Sequence, residues 1–188
     1  MQLRNTSARY GTVAKSLHWV IFAMFTFQFV VGFVMAELEP GENAFGATMA
    51  TLFDWHKTVG LLALMLIAVR VAWRRFVPLP SWAPGLGPRE RTFAHLVEVA
   101  LYAAMIVKPI SGYLFAIADG QGVELFSAFS IGEPFGESGG LADTALAFHM
   151  ISGIVFLAAW VLHVGLVLKH QLLRRDRHLN RMLPFTHQ

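Results

Sequence analysis

The sequence predicts an all-α integral membrane protein, a four-helix bundle with both termini in the cytoplasm. The 188 residues are 55% hydrophobic and only 14% charged, whereas a typical soluble domain has about 25% charged residues. Four apolar stretches each approach the roughly 20 residues that a helix needs to cross a bilayer. The basic residues gather on one side of these stretches. We therefore expect one membrane domain over residues 1–188.

The four predicted spans are residues 16–36, 53–73, 92–118 and 144–168, and a basic tail follows at 169–188. The first span has no formal charge over 21 residues, and the fourth has none over 25. The second is free of charge only from residue 58 to residue 69, and the third is interrupted by Glu98 and Lys108. Backbone groups in lipid must be satisfied within their own segment, so stretches of this length are predicted to be helices.

The distribution of basic residues sets the orientation. Of the 15 Lys and Arg residues, 13 lie in the N-terminal arm, between spans two and three, or in the tail. The two exceptions are Lys57 and Lys108. The positive-inside rule then places both termini in the cytoplasm. Because the basic residues sort by membrane side instead of forming one patch, the expected partner is membrane lipid and not nucleic acid.

Two histidines in the fourth span indicate a cofactor. The chain has no cysteine, which excludes thiolate-bound zinc, iron–sulfur clusters and covalently attached c-type haem. His149 and His163 are 14 residues apart, just under four helical turns, so they lie on nearly the same face and about 21 Å apart along the axis. The hydrocarbon core is about 30 Å thick. One histidine should therefore lie near each face of the membrane.

Two further histidines match these depths. His18 opens span one near the cytoplasmic face, where it pairs with His163, and His56 opens span two near the outer face, where it pairs with His149. A b-type haem takes one imidazole on each face of the porphyrin, and facing helices of a bundle supply such pairs. The alternative is that these are packing histidines, but four that match in depth favour two haem b groups. His170 is the second-choice ligand in place of His163. It would be about 31 Å from His149 by helix rise, and an iron bound there would lie at the lipid boundary.

Basic residues near the predicted haems are candidates for their carboxylates. Arg70 follows His56 by 14 residues, the same offset as on span four, so we expect it to pair with a propionate of the inner haem. Arg74, one turn further, can assist or can serve as an ordinary cytoplasmic anchor. Lys108 is a charge within a span, and such charges are functional candidates. We expect it to reach an outer-haem propionate or to line the site of an anionic donor.

Two residues at the membrane interfaces have weaker roles. His95 opens span three at the cytoplasmic side, where it can contact a quinone or a propionate, although an ordinary interfacial histidine is the simpler interpretation. Lys57 is the only basic residue of the outer loops and can attract an anionic donor. The alternative for Lys57 is a solvated lysine or one that anchors to lipid phosphate.

Several short motifs open or close the predicted spans. In chain order they are Ser16-Leu17-His18-Trp19, Trp55-His56-Lys57-Thr58-Val59-Gly60, Val69-Arg70 with Arg74, Phe93-Ala94-His95-Leu96, Pro109 with Gly112, His149 with His163, and Arg181-Met182-Leu183-Pro184. Together they make the chain resemble the bacterial cytochrome b561 family of four-helix di-haem membrane cytochromes. No single motif is specific, but the ordered set covers nearly the whole chain.

The resemblance implies two bis-histidine haem b groups on helices one, two and four, in a multi-pass protein of the bacterial inner membrane. It also implies an oxidoreductase that passes electrons from a periplasmic donor to membrane quinone. Superoxide is one such donor in the family, and ubiquinone is the expected acceptor. Iron with two imidazoles has no open position, which favours outer-sphere electron transfer. The alternative is a haem-bearing anchor subunit of a larger periplasmic dehydrogenase or hydrogenase. The expected protein partner is such a dehydrogenase or a second copy of this chain. A histidine-lined metal transporter is weaker, because only Glu98 lies within a span.

Overall fold

A computed structural model describes residues 2–39, 41–83, 85–126, 128–131, 136–175 and 178–184. Most of these residues lie in four long helices, which are α1 (Thr12–Glu37), α2 (Met49–Phe76), α3 (Pro88–Ala118) and α4 (Gly139–Leu168). Helix α1 packs along α2, α3 packs along α4, and α2 contacts α3. The prediction of a mainly helical chain is confirmed. The part of the predicted tail beyond residue 184 lies outside the described residues.

Each helix begins four or five residues before the predicted span. Hydropathy marks only the apolar part of a helix, whereas the backbone hydrogen bonds extend to polar capping residues. Thr48 caps α2 by accepting a hydrogen bond from the Thr51 N–H at 3.3 Å. At the start of α3 the Gly87 N–H donates to the Glu90 carboxylate at 3.3 Å, and Pro88 is the first helical residue.

Three helical segments of the described residues are long and apolar enough to cross a membrane. These are α1, α3, and α4 together with its continuation to Arg174. Helix α2 is of similar length but is not among these apolar candidates. It carries Arg70, Arg74 and Arg75 in its last two turns. Three of the predicted spans are therefore found as candidates, and the second remains a prediction.

Two small antiparallel hairpins, which the sequence analysis did not predict, lie at one end of the bundle. The first joins α1 to α2 through β1 (Asn43–Ala44) and β2 (Ala47–Thr48), and the second joins α3 to α4 through β3 (Val123–Leu125) and β4 (Phe129–Ile131). Thr58 of α2 holds the second hairpin, since its hydroxyl donates to the Glu124 carbonyl at 3.3 Å and accepts from the Phe126 N–H at 3.0 Å. We call this the hairpin end.

The opposite end, which we call the arm end, gathers three segments that are far apart in the sequence. The Ser81 N–H donates to the Ser7 carbonyl at 2.8 Å. Arg181 donates to the Ala8 carbonyl at 3.1 Å and to the Ser81 carbonyl at 2.7 Å. Helix α4 reaches this end through a π-helical continuation (Lys169–Arg174), and a short 3₁₀ turn (His178–Arg181) follows. The N-terminal arm, the α2–α3 loop and the C-terminal segment therefore form one layer.

An apolar core lies between the two ends. Its buried members come from all four helices and are Ile21, Phe25, Ala63, Ile67, Ala104 and Phe156. The rings of Phe25 and Phe156 stack with centroids 4.8 Å apart, which joins α1 to α4. This core separates the polar groups of the hairpin end from those of the arm end.

Candidate functional site

The four predicted histidine ligands form two pairs, each from two different helices. His56 of α2 and His149 of α4 have ring centres 6.1 Å apart, and we call them the hairpin-side pair. His18 of α1 and His163 of α4 have ring centres 6.3 Å apart, and we call them the arm-side pair. The partners are those that the depth argument predicted. Ligation of iron by these residues stays a prediction.

The spacing within each pair suits one metal ion between two imidazoles. A metal lies about 2 Å from each imidazole nitrogen that binds it, which puts the ring centres of two opposed ligands about 6 Å apart. Both observed separations agree with this value. The two pairs therefore have the ring separation expected for a bis-histidine haem.

Hydrogen bonding gives a second test of the fit, because buried polar groups normally have partners. No hydrogen bond joins a ring nitrogen of His18, His56 or His163 to another residue in the described part of the chain. The Nδ1 atom of His56 is fully buried without a partner. Imidazoles that the protein itself leaves unsatisfied are suited to an added ligand.

His149 is held in the tautomer that a haem ligand needs. Its Nδ1 lies 2.8 Å from the Lys108 carbonyl oxygen. A carbonyl can only accept, so Nδ1 carries the hydrogen and Nε2 keeps its lone pair. Such an outer hydrogen bond is the usual way in which a protein orients a metal-binding imidazole. In the described structure the Lys108 ammonium lies 3.1 Å from that Nε2.

Glycine accounts for the close approach of α3 to His149. A Cβ atom added at Gly112 would lie 2.8 Å from His149 Nδ1 and 2.9 Å from Cε1, so any side chain there would displace the imidazole. On the other side of the pair, a Cβ at Gly32 would lie 3.5 Å from His56 Cε1, which is an ordinary contact. Gly112, which belongs to the motif with Pro109, therefore leaves the space that the His149 imidazole occupies.

Gln28 is a neighbour of His56 that the sequence analysis missed. Its side chain is 6% exposed, and its amide nitrogen donates to the His56 carbonyl at 2.8 Å. This bond fixes α1 against α2 at the depth of the hairpin-side pair. A single glutamine in an otherwise apolar span was the signal that could have identified it.

A polar cleft surrounds the arm-side pair. It is lined by residues from all four helices and both terminal segments, among them Tyr10, Arg70, Trp73, Arg74, Glu98 and Met182. Arg70 Nε donates to the Tyr102 hydroxyl at 2.7 Å, while its Nη1 is buried without a hydrogen-bond partner. The indole nitrogen of Trp73 is buried without a hydrogen-bond partner as well. These two N–H groups near the pair are free to donate hydrogen bonds to the carboxylate of a ligand.

Arg74 is engaged by the protein itself. It forms an ion pair with Glu98 and also donates to the Tyr102 hydroxyl at 3.3 Å. The sequence analysis predicted neither partner, although it noted Glu98 as a charge within a span. Tyr10, outside the spans, also faces this cleft, and its burial and the Glu98 carboxylate raise its pKa above the usual value.

The remaining predicted residues lie away from the pairs or already have partners. Lys57 is not an isolated cation, since it pairs with Asp54 at 3.7 Å, donates to the Gly122 carbonyl at 3.4 Å and has only 16% of its side chain exposed. His95 is exposed on α3, and no contact is recorded between it and either pair in the described residues. His170 is fully buried, with Nε2 3.9 Å from the Glu90 carboxylate.

Comparison with known proteins gives a family. A family model described as "Prokaryotic cytochrome b561" matches residues 9–185. "Cytochrome b561 homolog 2" of Escherichia coli (strain K12) is 31% identical over 183 residues, covering 97% of this chain and 95% of that protein. "Probable superoxide oxidase CybB" of Yersinia pestis is 24% identical over 182 residues, covering 94% of this chain and 96% of that protein.

Proposed function

Because the chain belongs to the prokaryotic cytochrome b561 family, whose members are haem b cytochromes of the membrane, we propose that it carries electrons through two bis-histidine haems in a four-helix bundle with both termini cytoplasmic. The observation that carries the proposal is the presence of two histidine pairs, each joining two helices, with ring centres 6.1 and 6.3 Å apart. The chain is an integral membrane protein of electron transport, and the proposal concerns the number, ligands and use of its haems.

Each side chain near the pairs has a definite task in this proposal. His56 and His149 hold one haem, and His18 and His163 hold the other. Arg70, with its buried free Nη1, binds a haem carboxylate at the arm end. Haems held by these residues would supply reversible one-electron chemistry, and two imidazole ligands for each iron would favour electron exchange without binding of the substrate at the metal. The protein therefore controls the reaction through ligand orientation, burial and nearby charge.

We propose that a periplasmic donor gives its electrons at the hairpin end. The proposed acceptor is membrane quinone, namely ubiquinone. Superoxide is the proposed donor, supported by the likeness to the probable superoxide oxidase of Yersinia pestis. Each superoxide gives up one electron and becomes dioxygen, and two electrons with two protons convert the quinone to quinol. Lys57 is the proposed contact for the anionic donor, with its effective charge reduced by Asp54. Arg74 and His95 remain candidate contacts for a propionate or the quinone at the arm end.

The haem assignment is tested by the haem-to-protein ratio and the reduced-minus-oxidised spectrum of the purified protein. We expect two low-spin b-type haems per chain. His56→Ala and His18→Ala should each retain one haem, whereas Arg89→Ala, at an exposed site on α3, should retain two and serves as the control. A preparation with one haem or none, made with ample haem supply, would refute the proposal.

Donor and acceptor are tested separately. Purified protein in detergent is supplied with enzymatically generated superoxide and a soluble ubiquinone analogue, and quinol formation is measured. We expect quinol formation that superoxide dismutase abolishes. A protein with two haems that forms no quinol alone, but co-purifies with a dehydrogenase or hydrogenase, would instead be an anchor subunit.

A further inference from the structure

Lys108 is a charged side chain within a candidate membrane span. It lies in α3, ten residues before the helix ends at Ala118, which is about 15 Å along the axis. In the described part of the chain no ion pair joins its ammonium to a carboxylate. A charge at this depth is costly, and the cost marks a functional group.

The contacts of the ammonium suit a cation. Lys108 Nζ lies 3.1 Å from the lone-pair nitrogen of His149 and 3.3 Å from the His149 carbonyl oxygen. It also lies 5.4 Å from the centre of the Phe29 ring, within the range of a cation–π interaction. A Cβ added at Gly153 would be only 3.0 Å from Nζ, so the backbone of α4 is close on that side. When iron takes the His149 nitrogen, the carbonyl oxygen and the Phe29 ring still stabilise positive charge, and neither of them cancels it.

The position of Lys108 is fixed relative to the hairpin-side pair. Its own carbonyl oxygen accepts the His149 Nδ1 hydrogen at 2.8 Å, so the residue that carries the charge also orients the imidazole. The ammonium therefore stays within the length of one lysine side chain from His149 in any rotamer. A haem held by His56 and His149 would have this cation beside it.

We infer that Lys108 is a positioning charge that raises the reduction potential of the haem at the hairpin-side pair, an inference that rests on the proposed function. Reduction adds one electron to the ferric haem, which lowers its positive charge by one. A neighbouring cation therefore favours the ferrous form over the ferric form. The effect is large where water is excluded and no carboxylate compensates.

The arm-side pair provides the internal reference. Arg74 there is paired with Glu98, so its charge is largely compensated, and Lys108 lies on the far side of the apolar core. Replacing Lys108 should therefore change the potential of one haem and leave the other unchanged. A structural disturbance at Lys108 would also be confined to this haem, so the charge is isolated by a variant that changes the side chain and keeps the charge.

The experiment is a potentiometric titration of the haem absorbance in full-length holoprotein. Lys108→Met removes the charge and keeps the length of the side chain, and Lys108→Arg keeps the charge. Arg89→Met is the matched control, since it removes the same charge from an exposed site on the same helix. We expect one of the two titration components to move to lower potential in Lys108→Met, and both to stay near their wild-type values in the other two variants.

The outcomes are separable from those of the haem assignment. Absence of two haems in the wild-type protein would refute the proposed function. Two normal haems with unchanged potentials in Lys108→Met, or an equal fall in Arg89→Met, would overturn only the role of Lys108. If Lys108→Met loses a haem, Lys108→Gln is titrated in its place. Loss of a haem from both neutral variants would also overturn the inference, because it would show that Lys108 holds the site together.

Discussion

The hairpin-side and arm-side pairs share α4 and nearly the same ring spacing, but their surroundings differ. Beside His149 lie a lysine that forms no ion pair with the described residues and a glycine that lets α3 approach. Beside His163 lies a cleft with arginine, glutamate, tyrosine and tryptophan side chains. One helix thus repeats the ligand geometry, while α2 and α3 give each pair a different electrostatic environment. The same haem chemistry would then have two separately adjustable potentials.

Different structures lie next to the two sites. The β3–β4 hairpin is fixed to α2 through Thr58, two residues after His56. The C-terminal segment lies next to the arm-side pair, where Trp19 donates its indole N–H to the Met182 carbonyl at 2.9 Å and Lys15 donates to the Leu183 carbonyl at 2.8 Å. The terminal Arg181-Met182-Leu183-Pro184 motif therefore packs beside His18 and His163.

The largest expected effect is the loss of one haem when the packing around the hairpin-side pair alone is changed. Gly112→Ala places a methyl group 2.8 Å from His149 Nδ1 and should displace the imidazole, lowering the haem content from about two to about one per chain. Gly32→Ala is the matched control, since its added carbon would meet His56 at 3.5 Å, and it should keep both haems. Equal haem contents in the two variants would show that α3 does not constrain His149 as described.

A smaller effect concerns haem binding at the arm end. Arg70→Gln removes the cation with a buried free donor, and the haem there should dissociate about 10- to 100-fold more readily, the usual cost of losing a supporting contact. Transfer of haem to an excess of a scavenging globin measures this rate. Arg75→Gln, at an exposed neighbouring arginine, should leave the rate unchanged. Faster loss from the hairpin-side pair would contradict the placement of Arg70.

A third change alters the charge balance at the arm end. Glu98→Gln leaves Arg74 uncompensated, so the arm-side haem should rise in potential by up to about 60 mV, a tenfold change for a one-electron couple. Glu37→Gln, the same substitution at an exposed residue at the end of α1, is the control. Redox titration measures both potentials. A change in the potential of the hairpin-side haem instead would contradict the placement of this ion pair beside the arm-side haem.

The smallest effect tests how the C-terminal segment is held. Trp19→Phe keeps an aromatic ring but loses the hydrogen bond to Met182, and it should lower the free energy of unfolding by about 1 kcal/mol. Trp82→Phe, at a 49% exposed site, should have little effect. Thermal unfolding of both variants in the same detergent measures the difference. Equal stability would mean that the segment is held by its other contacts.

The sequence predicted the helices and the partner of each histidine, because helical periodicity and the charge distribution act over the whole length of a span. It did not predict Gln28, Trp73 or Tyr102, because their roles depend on which faces of α1, α2 and α3 meet. The hairpins were missed since their strands are only two or three residues long. Arg74 was predicted either to assist at a haem carboxylate or to anchor the cytoplasmic end. It pairs with Glu98, and this pairing depends on the rotation of α3.

The pairing of the histidines is tested most directly by the haem content of two double variants. His56→Ala with His149→Ala removes both ligands of one pair, and we expect about one haem per chain, as in either single variant. His56→Ala with His163→Ala removes one ligand from each pair, and we expect almost none. Equal haem contents in the two double variants would contradict the pairing and the two-haem proposal built on it.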